Sequence, residues 1–334
     1  MASMHRLLLG ALVAFLLCAL GGYPLLLLLR RMGLKQSERA EGPASHLKKA
    51  GTPTMGGLML LLGWIGGGLL SASGSYGLLL PTLLILVLCG LMGFLDDFIK
   101  VRTGTSMGLL PYQKVMLQFV ISLLAAAWLY RSPLVGTGIE LPFSHRQWEL
   151  GFLYIPFAVF VLMGTMNAVN LTDGLDGLAA GTGLVVQVAF VILFSLLQRQ
   201  QAPEPLSNHL GDMAVFSAAG AGALMGFLLY NAYPAKVFMG DTGSLALGGA
   251  IAMQALVSRS PLLLPLMGVC FVVSALSVIL QVGSYKPRHG KRVFKMAPLH
   301  HHFELLGVEE PKITAWYMLL TGVFCALSLY IFTN

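Results

Sequence analysis

The sequence predicts an all-α integral membrane protein with ten transmembrane helices, and three observations lead to that expectation. Hydrophobic residues fill 56% of the 334 positions and charged residues only 10%, with a mean hydropathy of +0.78, whereas a soluble domain carries about 25% charged residues. Apolar runs close to the roughly 20 residues that a bilayer crossing requires recur along the whole chain. Lys and Arg gather in alternate connections between these runs, as positive-inside retention demands.

The runs cover residues 5–29, 54–71, 78–95, 113–130, 151–169, 177–197, 212–230, 242–258, 262–283 and 313–333. The first follows Arg6 in the manner of a signal peptide, but it is longer than the usual apolar core, and Ala19-Leu20-Gly21 is a poor cleavage site before the leucines at 25–29. It is therefore read as a helix. The connections after runs 1, 3, 7 and 9, together with Lys114 at the start of run 4, hold sixteen of the 21 basic residues. Arg6, Arg131, Arg146, Arg199 and Arg259 fall on the other side. Both termini are accordingly expected to face outward, away from the cytosol. Residues 1–334 read as a single polytopic domain, without linker, repeat or low-complexity tail.

A formal charge of +7 would point to nucleic acid in a soluble protein, but here the basic residues flank apolar helices. Topology and anionic phosphates account for them, and no nucleic-acid partner is expected. Cys18, Cys89, Cys270 and Cys325 stand singly in apolar runs, so neither a disulfide frame nor a zinc site is indicated. Gly63 with Gly67, and Gly222 with Gly226, have the spacing that lets helices approach closely. In the outer segment 131–150, alternating apolar residues near Ile139 and Phe143 suggest a small hairpin.

Acids near hydrocarbon are the informative residues, because charge there is costly. Asp96, Asp97, Asp173, Asp176 and Asp241 all fall where apolar helices meet the cytosolic side. Asp96 and Asp97 close the third run, where the helix dipole disfavours negative charge. Lys100 as a capping ion pair, a divalent cation or a protonated partner would each compensate them. In Asn167-Ala168-Val169-Asn170-Leu171-Thr172-Asp173-Gly174-Leu175-Asp176-Gly177 the two acids share a face if the segment is helical, although Asn, Thr, Asp and Gly also make an ordinary turn and cap. The stretch from Asn231 through Phe238 to Ser244 places Asp241 between glycines at a helix start, where it is either an N-cap or part of a phosphate site.

Three adjacent histidines, His300, His301 and His302, lie in the last basic segment. Neighbours in extended chain point apart, so one metal centre using all three is not expected. Hard Mg2+ takes one or two carboxylates with substrate phosphate oxygens and water, which separated aspartates beside lysines would offer. No P-loop or dinucleotide fingerprint occurs. Phosphoryl chemistry at a membrane surface is the reading that remains.

At these residues the sequence closely resembles the phospho-N-acetylmuramoyl-pentapeptide transferases of bacterial peptidoglycan synthesis, within the polyprenyl-phosphate N-acetylhexosamine-1-phosphate transferase superfamily. Carrying the resemblance are Gly51-Thr52-Pro53-Thr54-Met55-Gly56-Gly57, the Asp96-Asp97 segment, residues 170–177 and 231–244, and Ala297-Pro298-Leu299-His300-His301-His302-Phe303-Glu304. It implies a ten-helix fold in the bacterial cytoplasmic (inner) membrane, with the site on the cytosolic face, both termini periplasmic and a homodimer. The implied reaction transfers phospho-MurNAc-pentapeptide from UDP-MurNAc-pentapeptide to undecaprenyl phosphate with Mg2+, giving lipid I and UMP. By the same resemblance Asp241 is the metal ligand, Asp96 and Asp97 are the essential acidic pair, and His300 is the essential loop histidine. Lys49, Thr54, Asp173, Asp176, Asn231, Phe238, Gln281 and His301 match substrate contacts, and Lys100, Lys114 and Asn170 line the polar site. A transferase using UDP-GlcNAc is the nearest alternative. A transporter of anionic lipid is the alternative from another class, but transporters bind near the bilayer midplane and no acid is expected in mid-helix.

Overall fold

The computed structural model describes residues 4–33, 51–105, 107–144, 146–200, 206–285, 287 and 290–334, and each of the ten apolar runs is helical over most of its length. In chain order the described helices are α1 (Met4–Arg31), α2 (Gly57–Ser71), α3 (Tyr76–Thr103), α4 (Pro111–Arg131), α5 (Tyr154–Thr172), α6 (Leu178–Gln200), α7 (Leu206–Asn231) and α8 (Gly240–Val257). They continue with α9 (Leu264–Met267), α10 (Val269–Tyr285), α11 (Leu299–Glu304) and α12 (Glu310–Thr333). Seven of these segments are long and apolar enough to cross a membrane: α1, α3, α4, α6, α7, α12 and the stretch Gly151–Thr172 that includes α5. The helical, strongly apolar chain is that of an integral membrane protein.

Run 262–283, expected as a single helix, is broken. Its two parts, Pro261–Met267 and Val269–Tyr285, meet at an angle of 82°. The break falls at Gly268, which ends α9 with φ −100° and ψ 29°, outside the helical region, while Pro265 lies in the first turn of α9, where a missing amide proton is tolerated.

The core forms around α7 and α8. Every residue of α8 from 242 to 257 is buried, as suits a helix apolar on all sides and enclosed by neighbours. Helix α1 lies along α7 and α2, and both glycine pairs serve that packing. A Cβ on Gly222 would sit 2.0 Å from the Ala11 carbonyl oxygen, and one on Gly67 would sit 2.6 Å from that of Gly10. Helix α4 is peripheral: Val115, Met116, Leu117, Phe119 and Val120 are all exposed, and only Gln118 among them is buried.

The hairpin expected in 131–150 forms from β1 (Gly138–Glu140) and β2 (Gln147–Glu149), antiparallel with Ile139 opposite Trp148. It docks on the end of α8 through a hydrogen bond from the Glu140 amide to the Arg259 carbonyl, 2.7 Å. All four cysteines are buried free thiols.

Three acids depart from the expectation that none lies within a helix: Asp96 and Asp97, expected at the end of their helix, stand nearly two turns before it because α3 continues to Thr103, and Asp212 is the third. Because α7 begins at Leu206, Asp212 is almost two turns inside it and fully buried. Its carboxylate pairs with the Arg6 guanidinium of α1 and accepts hydrogen bonds from the Ser73 amide (2.8 Å), the Ser73 hydroxyl (3.0 Å) and the Ser75 amide (3.1 Å). Three segments are thus tied together at the end of the bundle opposite the other aspartates. Breaking such a pair strands a partly buried cation, so Asp212→Ala should lower stability by about 3 kcal/mol. Thermal melting in detergent checks this, and activity per folded molecule should remain unchanged.

Candidate active site

The site begins with the way α8 starts. Gly240 has φ +70°, and a Cβ there would lie 2.5 Å from Asp97 Oδ2, so only glycine admits both the turn and the carboxylate beside it. Asp97, near the end of α3, accepts hydrogen bonds from the backbone amides of Asp241 (3.1 Å) and Thr242 (2.9 Å) and from the Thr242 hydroxyl (2.7 Å). Asp97 therefore caps α8 from a different helix, and Asp241, available from sequence as the N-cap, keeps its side chain for other partners. The close approach of α3 requires Gly93, whose Cβ would lie 2.1 Å from the Asp241 carbonyl oxygen.

The freed Asp241 carboxylate collects three partners. Its Oδ2 accepts from Lys100 Nζ (3.0 Å) and Lys114 Nζ (2.6 Å), and its Oδ1 accepts from Asn170 Nδ2 (2.7 Å). Lys100 also pairs with Asp96 Oδ2 at 2.5 Å and lies 3.9 Å from Asp97 Oδ1. The other Asp96 oxygen accepts the Leu109 amide at 2.9 Å, with Gly108 folded closely over it. Asp96, Asp97 and Asp241 each place a carboxylate oxygen within 4.8 Å of the others, and among the described residues they form a group able to hold a metal ion. Three carboxylates face two ammonium groups, and oxygen donors at this spacing suit a hard divalent cation.

A second group of residues adjoins this cluster. Helix α5 ends at Thr172, so Asp173 and Asp176 do not share a helix face; they stand in the turn that follows. The Asp176 carboxylate accepts the Ala235 amide (2.9 Å), its own amide donates to Glu310, and its carbonyl accepts the Thr314 hydroxyl (3.2 Å). Asn231 accepts the Gly177 amide (3.2 Å) and donates to the Val237 carbonyl (3.0 Å). Phe238 is fixed through its backbone, donating to the Pro53 carbonyl (2.9 Å) and accepting from Gly56 (2.8 Å). Thr54 lies beside Gly240. These contacts weld segments 53–57, 173–177 and 231–240 into one wall. Glu310 and Thr314, which hold that wall from α12, were not legible as site residues, because an acid before Pro311 reads as an ordinary helix start.

The three histidines lie on the short helix α11 and not in the extended chain expected, so His300 and His301 stay together with ring centroids 4.3 Å apart, and His302 turns toward Phe294. His300 is fully buried, its ring against His301 and Tyr317; His301 Nδ1 meets Glu304 at 3.1 Å, and His302 Nδ1 accepts the Lys295 amide at 3.1 Å. His300 and His301 both close on Gly174, where an added Cβ would lie 2.3 Å from His300 Nε2. Gln281 does not join the carboxylates: it binds the backbone of Val293 and Phe294, each at 3.0 Å, and so shapes the loop leading to α11. Lys49 lies outside the described residues.

Comparison with known proteins shows the family to which the chain belongs. The family model described as Glycosyl transferase family 4 matches residues 79–259, just over half of the chain, and phospho-N-acetylmuramoyl-pentapeptide-transferase signature 1 matches residues 49–61. Relatives named phospho-N-acetylmuramoyl-pentapeptide-transferase align along nearly the whole length. The one from Clostridium novyi is 43% identical, covering 97% of this chain and 96% of its own. That from Desulfitobacterium hafniense is 45% identical with the same coverage, and that from Caldanaerobacter subterraneus is 43% identical over 98% of both chains. The chain belongs to the phospho-N-acetylmuramoyl-pentapeptide-transferase family.

Within this transferase, the signature stretch contributes Thr54 and the glycines packed on the start of α8, and residues 79–259 contain all three clustered carboxylates with Lys100, Lys114 and Asn170. Burial, then the negative charges of Asp241, Asp97 and Asp176, pushes the Asp173 carboxyl well above the usual carboxylate range. A raised value favours the neutral acid, which an amide imitates. Asp173→Asn should therefore keep activity within about tenfold of wild type while Asp241→Asn does not, as measured by UMP release. Gly174→Ala, which drives a methyl into the His300 ring, should lose far more activity than its thermal melt loses stability.

Proposed function

We propose that this protein transfers phospho-MurNAc-pentapeptide from UDP-MurNAc-pentapeptide to undecaprenyl phosphate, giving lipid I and UMP with Mg2+ as cofactor. The observation that carries the reading is the convergence of Asp96, Asp97 and Asp241 with Lys100 and Lys114 at one end of the helices. It occurs in a chain that is similar to enzymes of that name from end to end. In this reading residues 1–334 form one catalytic domain that crosses the bacterial cytoplasmic membrane ten times. An even number of crossings and the placement of Lys and Arg put both termini in the periplasm and the carboxylates at the cytosolic face. A homodimer is proposed from family resemblance alone.

The chemistry is attack by an oxygen of the lipid phosphate on the β-phosphorus of the UDP-sugar. A new pyrophosphate bond forms, the old one breaks, and UMP departs with the bonding electrons. Two anions must meet, so electrostatic compensation and positioning dominate. Asp241 is the metal ligand in this scheme, with Asp96 beside it. Magnesium, when bound, supplies positive charge to the pyrophosphate oxygens. Lys100 and Lys114, flexible ammonium donors at the same point, offset charge on the two phosphates. Asp97 keeps α8 in place so that Asp241 presents its carboxylate. The wall formed by Thr54, Asp173, Asp176, Asn231 and Phe238, with Lys49, receives the nucleotide, and His300 and His301 close on it through Gly174. Gln281 acts through the loop it organises.

A general base is not required. A phosphate monoester with a second pKa of about 6 is already largely dianionic at neutral pH, and both Asp96 oxygens are engaged by Lys100 and the Leu109 amide. Asp96→Asn should accordingly lose activity evenly from about pH 6 to about pH 9, a range in which the acceptor phosphate becomes fully ionised. Recovery on the alkaline side would assign proton abstraction to Asp96 instead. Asp241→Asn should fold, as judged by thermal melting, yet need a much higher Mg2+ concentration; metal dependence like that of wild type would remove Asp241 as the ligand.

The reading as a whole is tested with purified protein, undecaprenyl phosphate and Mg2+, offered UDP-MurNAc-pentapeptide or UDP-GlcNAc in turn. UMP release with the muramoyl donor supports it. Release with UDP-GlcNAc alone would reassign the donor, and release with neither would overturn the transferase reading.

A further inference from the structure

Helix α4 brings Lys114 to Asp241 from its first two turns, where no residue from Pro111 to Leu117 is buried. Further along, Ile121, Ala125, Ala126 and Leu129 pack into the core and orient the helix, but apolar contacts of this kind tolerate small shifts along the axis, because apolar side chains are as content in hydrocarbon as against another helix. At the junction of the exposed and packed parts stands one buried polar contact. Gln118 Nε2 donates to Asn167 Oδ1 at 3.2 Å, and Asn167 Nδ2 donates back to Gln118 Oε1 at 2.9 Å. Gln118 is 1% exposed on a helix whose neighbouring positions all face outward.

The register of this pair is informative. Gln118 lies four residues beyond Lys114 on α4, and Asn167 lies three residues before Asn170 on α5, so each amide sits about one turn deeper on the same side of its helix. Lys114 and Asn170 in turn grip opposite oxygens of Asp241. The amide pair joins α4 to α5 directly and the carboxylate grip joins them through Asp241, so the two helices share two rungs about 4.5–6 Å apart along the axis. A reciprocal pair of this kind accepts only one register, since a shift of α4 leaves donors and acceptors unmatched in lipid. Buried polar pairs that fix register, at some expense of stability, are the best-attested use of such groups.

We infer that Gln118 and Asn167 are positioning residues for transfer: their amide clasp sets the depth and rotation of α4 so that Lys114 reaches Asp241. The kinetic part of this inference rests on the transferase reading given above. The clasp itself does not, and Lys114 reactivity toward an amine-modifying reagent, followed by mass spectrometry, measures it without any turnover.

The variants are Gln118→Leu, Asn167→Leu, the double Leu variant, and the exchange Gln118→Asn with Asn167→Gln. The double Leu variant removes both polar groups together and should melt close to wild type, because paired apolar replacement strands no donor or acceptor. It should nevertheless lose about tenfold in kcat, the scale of a small misplacement at a reacting centre, with the donor KM within about twofold. Its Lys114 should be modified faster than in wild type. The exchange variant, which can restore a reciprocal amide pair, should recover kcat and protect Lys114 relative to the double Leu variant. The control is Gln187→Leu with Gln254→Leu, which removes the other reciprocal amide pair, between α6 and α8, far from Lys114; it should leave Lys114 reactivity unchanged. Unchanged Lys114 reactivity in the double Leu variant, or a kcat loss merely proportional to loss of melting temperature in both pairs, would overturn the clasp. Absence of UMP release from wild type would overturn the transferase reading alone, with the labelling result still deciding the clasp.

Discussion

Three carboxylates cannot share a few ångströms at the edge of a bilayer unless positive charge is brought to them, and much of the bundle is arranged to bring it. Asp96 and Asp97 stand nearly two turns before the end of α3, which runs on to Thr103, so the side of that helix presents them. The start of α8 offers free amides and the positive end of a helix dipole, and the fold sets the side of α3 against it. Asp97 takes the α8 amides, and Lys100, one turn beyond Asp96 on α3, bridges all three acids. Lys114 comes from the first two turns of α4, where no residue from Pro111 to Leu117 is buried. Three carboxylates against two ammonium groups leave one negative charge in excess, and a divalent cation would turn the site net positive, as suits one that receives phosphates.

Bringing the helices this close is a steric problem, and small residues solve it. Gly93, Gly240 and Gly57 lie where α2, α3 and the start of α8 meet, and a Cβ on Gly57 would fall 2.1 Å from the Gly243 amide nitrogen. At the opposite end a different device, the Arg6–Asp212 pair with its serine donors, ties α1 and α7 to the connection between α2 and α3. Its carboxylate is fully satisfied by protein groups and so behaves as a structural tie. The aspartate cluster differs in kind, because its carboxylates are opposed by ammonium groups whose place a metal ion can take and which a phosphate can draw toward itself.

Much of this was legible in the sequence. Apolar runs of membrane-spanning length located the helices, alternation located the hairpin, and the junction aspartates located the site. The pairing of His300 with His301 was not legible, because it depends on the helical turn of α11 where an extended chain was expected. What the sequence concealed has specific causes. The break at Gly268 sits inside an unbroken apolar run, which hydropathy cannot divide. Asp212 was hidden because the apolar run was taken to begin at the acid, whereas the helix begins at Leu206. The capping role of Asp97 depends on amides 144 and 145 residues away, and no local pattern announces a cap supplied from another helix. Glu310 and Thr314 are invisible for the same reason: they act on the backbone of Asp176, not through a motif of their own.

The division of labour between the adjacent acids follows from these contacts. Asp97 has three hydrogen bonds to the frame of α8, so a metal or substrate that claimed its oxygens would have to compete with the helix start that positions Asp241. Asp96 has one backbone donor and one ammonium partner, and the ammonium is exchangeable. Two residues adjacent in sequence and alike in chemistry are therefore unequal. Asp97 holds the geometry of the site, and Asp96 and Asp241 hold its exchangeable charge. That asymmetry is set by which side of α3 faces α8, because successive residues on a helix point about 100° apart, and only one of the pair can meet the helix start squarely.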